Sequence, residues 1–293
     1  MKNIHVFAAQ LPSLTVLEET LNNEDGLLFT PLTDNQWSKL GLSNERQLTS
    51  LGNGYRIDFT YAGKDIPKTQ IKEELESIVN GMDYEPSKDD IGELLESVTA
   101  DFCAKMIVNT VKFSAFYHVK RGTLIFDCKE SLAQSALGLL IKAIGSVETT
   151  TLHCSGISNS LTTNMLECLR PESEHLGVEF AGFKTGDLLV LQNQEKDVVR
   201  FKGDYPTDQV RELLEDGYEI KQINLSKDGV SFSLDDKFKI KGIKALFELD
   251  EYDYCDEEEM NLHEQTVELE ILTSHCDALR DFFNKQSDEV EVI

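Results

Sequence analysis

The stretch KFSAFYHVKRGTLIFDCKESLAQSALGLLIKAIGS, residues 112–146, contains the clearest succession of secondary-structure elements in the chain. The alternation over Phe113–Val119 predicts a strand, and after a short turn Thr123–Cys128 predicts a second strand rich in β-forming residues. From Leu132 to Ile144 apolar residues recur at helical spacing, and Gly145 stands where a C-terminal glycine cap belongs. The stretch therefore predicts a β-hairpin followed by a helix, which is a folding core and carries no indication of function.

The charge of the chain is its most unusual bulk property. Of 293 residues 40% are hydrophobic, which is ordinary, but 28 Lys and Arg stand against 53 Asp and Glu, a formal net charge of −25. Such a charge keeps a protein in solution and repels polyanions on average, although a local basic patch can still bind one. Because the acids are spread along the chain, the pattern favours a solvated acidic surface.

Two further features predict the compartment. Six cysteines occur without CxxC spacing, which predicts free thiols of a cytosolic protein and neither a disulfide framework nor a metal site. No apolar run approaches the roughly 18–20 residues that span a bilayer, so we expect no membrane segment and a cytoplasmic location.

The order of predicted elements divides the chain into three regions of an α+β protein. Residues 1–61 and 112–160 predict a central α/β region, in which Gly26–Pro31 reads as a strand ended by proline and Asp34–Leu40 as a helical turn. Residues 62–111 predict a projecting helical hairpin: Pro67 opens its first helix and Ser87 caps its second. Residues 161–293 predict a strand-rich α+β region.

The strand-rich region ends in a meander followed by acidic sequence. Tyr218–Leu225, Val230–Leu234 and Phe238–Phe247 predict three antiparallel strands, followed by an acidic loop over Glu248–Glu259. Beyond it, the sequence predicts a strand at Thr266–Leu272, and a final helix that Ser274 caps and that ends at Asn284.

The sequence offers no positive case for an enzyme. It contains no phosphate-binding glycine loop, no zinc-protease HExxH motif and no GxSxG motif, and its six histidines are dispersed. The acidic run Asp250–Glu259 lacks the glycine turn and fixed spacing of an EF-hand, and a solvated loop explains it better than a metal site. We therefore predict no catalytic residue, no metal and no cofactor.

Basic residues cluster only weakly. Lys237, Lys239 and Lys241 share the parity of one strand face, and such a row can contact phosphates. A solvent face that balances nearby acids explains the same row equally well.

Short strings along nearly the whole chain resemble the bacterial recombination-associated protein RdgC family in order and spacing. They are Leu28–Pro31, Trp37–Gly41, Ile66-Pro67, Gly122–Cys128, Lys142–Ser146, Leu161-Thr162, Val198–Lys202 and Leu213–Gly217, followed by the meander. The resemblance implies a horseshoe-shaped protein with antiparallel sheets and a projecting helical hairpin. It further implies a head-to-head homodimer that closes as a ring around double-stranded DNA, binds without sequence preference and modulates RecA-dependent recombination at the nucleoid.

This sequence departs from the pattern of the family where the family is basic. The loop Asn80–Asp90 between the two hairpin helices has one lysine and four acids, and a family basic pair is reduced to Gly203-Asp204. The residues still available to meet phosphate are Lys105, Lys112, Arg200, Lys202, Lys239 and Lys241.

The same departures support a second hypothesis, in which the protein keeps the fold and acts as an acidic DNA mimic that binds a basic nuclease, recombinase or defence protein. A third hypothesis, a metal-dependent exonuclease, rests only on an old label of the family and on the acidic run.

Overall fold

The structure is a computed structural model, which describes residues 1, 3–23, 26–45, 47–145, 149–151, 160–168, 179–180, 182–203, 206–236, 239–245 and 256–290. Within these residues the chain is a mixed α+β protein with seven helices and one sheet of thirteen strands. Every pairing between the named strands is antiparallel. No helix in this described part of the chain is long and apolar enough to cross a membrane.

The elements follow one another in a largely alternating order. The strands are β1 (Asn3–Ala9), β2 (Ser38–Leu42), β3 (Leu48–Leu51), β4 (Gly54–Lys64), β5 (Val108–His118), β6 (Thr123–Asp127), β7 (Thr149–Thr151), β8 (Glu179–Phe180), β9 (Phe183–Gln192), β10 (Val198–Lys202), β11 (Glu219–Lys227), β12 (Val230–Asp235) and β13 (Ile240–Ala245). The helices are α1 (Leu14–Asn23), α2 (Lys68–Asn80), α3 (Lys88–Lys105), α4 (Glu130–Ile144), α5 (Ser160–Cys168), α6 (Thr207–Glu215) and α7 (Glu257–Val290).

The main path of the sheet runs β10-β9-β11-β12-β13-β1-β6-β5-β4-β2. The first strand of the chain, β1, thereby lies between β13 and β6 and joins the two halves of the sheet. One apolar row crosses six strands of this path and consists of Phe201, Leu189, Ile223, Leu234, Ile240 and Ile4. Residues directly opposite each other on paired strands share a face, so this row fixes one face of the sheet across both halves.

Two hydrophobic cores form on opposite faces of the sheet. On the face of the apolar row, β9–β13 pack against residues of three helices: Leu161 and Met165 of α5, Val210 and Leu214 of α6, and Leu269, Leu272, Cys276 and Leu279 of α7. On the other face, β1 and β4–β6 pack against Leu17 and Leu21 of α1 and Ala133, Ala136, Leu137 and Leu140 of α4. α5 and α6 therefore cover one face of the C-terminal half, and α1 and α4 cover the opposite face of the N-terminal half. α7 extends along the first of these faces and also contacts β3 and β5.

The predicted hairpin and helix around residue 122 are confirmed. β5 and β6 pair from Ala115↔Phe126 to His118↔Thr123, and α4 follows directly. Gly122 in the turn has φ +58° and Gly145 after α4 has φ +89°, backbone conformations that favour glycine.

The two helices of the pair α2–α3 begin where the sequence predicts. α2 follows Pro67, and at the start of α3 the Ser87 hydroxyl accepts from the backbone N–H of Asp90 while the Asp90 carboxylate accepts from the N–H of Ser87. These bonds lower the pKa of Asp90. At the base of the pair, the Lys64 ammonium donates to the carbonyl oxygen of Cys103 at 2.8 Å.

Two local predictions are wrong. Residues 38–40, expected in a helical turn, belong to β2, because they pair with β4, and Leu28 makes only an isolated bridge with Leu42. Residues 266–272, expected as a strand, lie inside α7, and Ser274 is an interior residue of that helix and not its cap. Of the predicted acidic loop, residues 248–255 lie outside the described residues, whereas Glu257–Glu259 form the first turn of α7 and not a loop.

Candidate nucleic-acid interface

The register of the sheet places four of the six predicted phosphate-binding residues together. Arg200 lies opposite Val190, Val190 opposite Gln222, and Gln222 opposite Asp235, so Arg200 and Asp235 share a face. Lys241 lies opposite Ser233, two residues before Asp235, and shares that face too. Lys202 and Lys239 have the same parity as their neighbours Arg200 and Lys241. We call this surface the polar face, with members Lys184, Arg200, Lys202, Gln222, Asn224, Ser231, Ser233, Asp235, Lys239, Lys241 and Lys244.

The polar face lies on the side of the sheet away from α5, α6 and α7, whose apolar residues all pack on the opposite face. Four strand spacings separate β10 from β13, so the two basic ends of the polar face are about 19 Å apart. The face is thus a broad, polar surface with cations at both edges.

The β10 end of the polar face is open. Arg200 and Lys202 alternate with the half-buried Val199 and Phe201, and both are exposed. Neither makes an ion pair with another residue in the part of the chain that the structure describes. Their charges are therefore available to an external anion.

The β13 end of the polar face carries its own counter-ions. Lys239 Nζ donates to Glu130 Oε2 at 2.5 Å, and Lys241 Nζ donates to Asp235 Oδ2 at 3.0 Å. The hydrogen bond that Lys239 donates to Glu130 raises the pKa of Lys239. This end is nearly neutral as a unit, although it contains two of the predicted lysines.

The other two predicted residues lie elsewhere. Lys112 shares the parity of Phe116, which belongs to the α7 side of the sheet, and its ammonium pairs with Glu45 at 2.9 Å. Lys105 is exposed in the last turn of α3, at the base of the helical pair. The structure therefore does not bring all six residues into one surface.

Two basic residues of the polar face were not among the predicted phosphate contacts: Lys184, and Lys244, which lies opposite Ser231 and is exposed. Lys184 lies opposite Ser226, which lies opposite Ser231, and it is exposed on the polar face. Gly186 suggested a loop at this point of the sequence. In the structure Gly186 sits inside β9 at an irregular pairing, where an added Cβ would lie 2.9 Å from the Cβ of Asn224. The alternation of apolar and polar side chains that begins with Phe183 and Lys184 is the signal in the sequence that could have revealed this strand.

A cavity of about 330 Å³ adjoins the β13 end of the polar face. It lies between β1, β13 and the start of α4, and its polar lining consists of His5, Cys128, Lys129, Glu130, Lys239 and Lys241. Burial lowers the pKa of His5, and burial raises the pKa of the Cys128 thiol to about 12. The histidine and thiol are therefore neutral near pH 7, and the charges around this cavity come from lysines and Glu130.

The α2–α3 pair has the opposite electrostatic character. Residues 68–105 contain ten acids and four lysines. Only Ile71, Val98 and Cys103 are buried along the two helices. The pair is thus an exposed acidic surface, in agreement with the acidic loop noted in the sequence.

The described residues hold no group of three or more His, Cys, Asp and Glu side chains that could bind a metal ion. Asp256, Glu257 and Glu258 at the start of α7 line an open cavity of about 550 Å³ beside Arg56. Asp256 Oδ1 accepts from the backbone N–H of Glu259, so this carboxylate caps the helix. The predicted candidates Asp250 to Asp253 lie outside the described residues.

The fold and this surface define an α+β protein built on one large antiparallel sheet, with a basic-edged polar face and an acidic helical pair. A family model described as "Putative exonuclease, RdgC" matches residues 1–285, and the chain therefore belongs to the RdgC family. Membership supports a recombination-associated role at the level of the family. A search of the curated proteins finds no match to the chain.

Proposed function

We propose that this chain binds duplex DNA without sequence preference through the polar face. In this proposal the protein is a horseshoe-shaped homodimer that closes as a ring around the duplex, acts in the cytoplasm at the nucleoid, and limits the access of a RecA-type recombinase. The single observation that carries the proposal is the exposure of Arg200 and Lys202, free of ion pairs within the described residues, on the face shared with Lys239 and Lys241.

The chemistry of the polar face suits phosphate better than base edges. Its cations are lysines and one arginine, carried by β9, β10, β13 and the residue just before β13, and cations of this kind neutralise phosphates without reading sequence. The net charge of −25 opposes binding at long range. Screening limits that repulsion to about 10 Å at 0.1 M salt, so a local basic edge still meets a phosphate backbone.

Titration of two duplexes of unrelated sequence at low and high salt tests this function. We expect similar affinities for both sequences and a steep loss of affinity with salt, on protein whose oligomeric state is measured in the same buffer. A strong preference for one sequence, or the absence of binding at low salt, contradicts the proposal.

The acidic helical pair favours a second candidate function, in which α2–α3 imitates a polyanion and binds a basic protein. Asp89, Glu93 and Glu96 follow one another at helical spacing along one side of α3, and all are exposed. Displacement of duplex DNA from a purified basic DNA-binding protein tests it. Under this second function the chain competes with the duplex, and the charge-reversed variant Glu93→Lys/Glu96→Lys competes less. If the variant competes with the duplex as well as wild type does, the acids of α3 do not form the binding surface for the basic protein.

A further inference from the structure

We propose that Glu130 and Asp235 are built-in counter-ions that compete with phosphate for Lys239 and Lys241 and thereby restrain binding at the β13 end of the polar face. This inference rests on the proposed binding of duplex DNA at that face. It adds that the chain contains its own inhibitors of that binding.

The contacts around Asp235 hold its carboxylate against the lysines. Its Oδ2 accepts from Lys241 Nζ at 3.0 Å, and its Oδ1 accepts from the backbone N–H of Lys239 at 2.9 Å. Both oxygens are engaged, and only 18% of the side chain is exposed. Asp235 is therefore fixed in position, while Lys241 beside it is 53% exposed and faces solvent.

Glu130 reaches the polar face from another element. It stands in the first turn of α4, where the helix dipole favours an acid, and its Oε2 accepts from Lys239 Nζ at 2.5 Å. The two residues are separated by 109 positions in sequence, so the pair exists only in the folded chain. Its location beside the 330 Å³ cavity leaves room for an anion on the solvent side of Lys239.

The restraint is of a kind that phosphate can overcome. Ion pairs in which both partners reach solvent are weak, because solvent screens them and holding two side chains together costs entropy. Glu130 is 48% exposed and Lys239 is 26% exposed, so a phosphate can take the place of the carboxylate. While the carboxylates stay in place, Lys239 and Lys241 add little net charge to the polar face. Arg200 and Lys202, at the β10 end, keep their full charges.

A comparison of salt slopes tests the inference. Glu130→Gln keeps the shape of the side chain and removes its charge, which frees Lys239 for phosphate. One additional phosphate contact steepens the dependence of log affinity on log salt by about 0.9, so the affinity ratio of variant to wild type grows roughly 3.5-fold between about 200 and 50 mM salt. Asp235→Asn is expected to act in the same direction through Lys241.

The matched control is Glu93→Gln, which changes the net charge equally at an exposed position of α3. We expect its slope to equal that of wild type. Adding Lys239→Met to Glu130→Gln is expected to abolish the gain, because the freed lysine is then absent. Thermal unfolding of each variant confirms that the proteins compared are folded.

The outcomes separate this inference from the function on which it rests. Binding by wild type with equal slopes for Glu130→Gln and Glu93→Gln overturns the inference and leaves the function intact. Absence of duplex binding by wild type and by every variant overturns both. Binding only after Glu130→Gln or Asp235→Asn supports the restraint by these carboxylates and contradicts duplex binding as the function of the wild-type chain.

Discussion

The ammonium of Lys64 joins three segments that are distant in sequence. It donates to the carbonyl oxygens of Cys103 at 2.8 Å and Asp34 at 3.0 Å, while the backbone N–H of the same lysine donates to the carbonyl of Trp37. Because Cys103 lies in the last turn of α3, the cation also meets the negative end of a helix dipole. One side chain thus fixes the base of the α2–α3 pair to the edge of the sheet.

Replacing Lys64 with Met tests this role. The variant leaves the carbonyls of Asp34 and Cys103 without this donor, so we expect a loss of about 1–3 kcal/mol in the free energy of unfolding. We also expect faster amide exchange in the last turn of α3 and a change in the emission of Trp37, the one tryptophan of the chain. Lys68→Met, at an exposed position of α2, is the control. Equal effects of the two substitutions would contradict the role of Lys64.

His275 of α7 is a buried polar residue in apolar surroundings. It is 1% exposed, its ring lies edge-on to Phe183, and neither ring nitrogen has a hydrogen-bond partner within the described residues. Asp228 Oδ2 is 3.5 Å from Nε2, too far for a good hydrogen bond. Burial lowers the pKa of His275; the nearby Asp228 opposes this shift and Lys227 adds to it.

The lowered pKa predicts that stability falls in mild acid. Below pH 6.5 the unfolded chain binds a proton at His275 that the folded chain refuses, so the free energy of unfolding decreases until the folded pKa is reached. The loss is at most about 1.4 kcal/mol per pH unit. In urea unfolding at pH 7.5 and 5.5, we expect His275→Leu to lose less stability than wild type.

The control for this pH dependence is Leu279→Ala, which weakens α7 without removing a titrating group. We expect it to keep the pH slope of wild type. The same slope in His275→Leu as in wild type would show that other groups cause the acid sensitivity.

Single residues differ in how far their roles can be read from the sequence. The cap at Ser87 and the glycine at 145 act on residues within four positions, so their roles follow from local pattern. The partners of Lys64 and Lys239 lie 30 to 109 positions away, and nothing local specifies them. The candidate site was therefore predicted as a set of cations, without the carboxylates that neutralise some of them.

At the scale of elements, α7 shows how a strand prediction fails. Thr266, Val267 and Ile271 are β-branched and favour a strand locally. The apolar residues that α7 buries instead follow helical spacing; they are Leu269, Leu272, Cys276 and Leu279. Packing of this stripe on the apolar face of the sheet outweighs the local preference for a strand. A short stretch of sequence shows that preference but not the packing, so the strand was predicted.

The stripe on α7 predicts a large effect of truncation. Leu272 is 1% exposed within the core between α7 and the sheet. Leu272→Ala leaves a cavity there, and we expect it to lower the free energy of unfolding by about 2–5 kcal/mol. Urea unfolding measures this loss, with Leu95→Ala on α3 as the control, since Leu95 is 42% exposed. A loss below that of the control would show that α7 does not contribute to the cooperative core.

Strand and helix types in most of the chain were predictable, because the hairpin β5–β6, helix α4 and the meander β11–β13 have clear periods and turn residues. Strand order was not predictable from the same signals. The pairing of β1 with β13 joins residues more than two hundred positions apart and is decided by the whole core. The polar face depends on that order. Arg200 of β10 and Lys241 of β13 lie on one surface because β9, β11 and β12 connect their two strands in the sheet.

At the scale of the whole molecule, charge is divided between two surfaces. The helical pair concentrates exposed acids, while the polar face carries cations at its edges in a chain of net charge −25. This division is consistent with a protein that repels polyanions over most of its surface and admits them at one face. Net charge alone therefore does not decide against duplex DNA as the ligand.

The most direct test of the account is the salt dependence of duplex binding by Arg200→Ala/Lys202→Ala, measured beside Lys68→Ala/Lys72→Ala on α2. Both variants remove two cations, but only the first pair lies on the polar face. We predict that the first variant lowers the slope of log affinity against log salt by about 1.8 and that the second leaves it unchanged. Equal slopes for wild type and both variants would show that the duplex does not bind at the polar face.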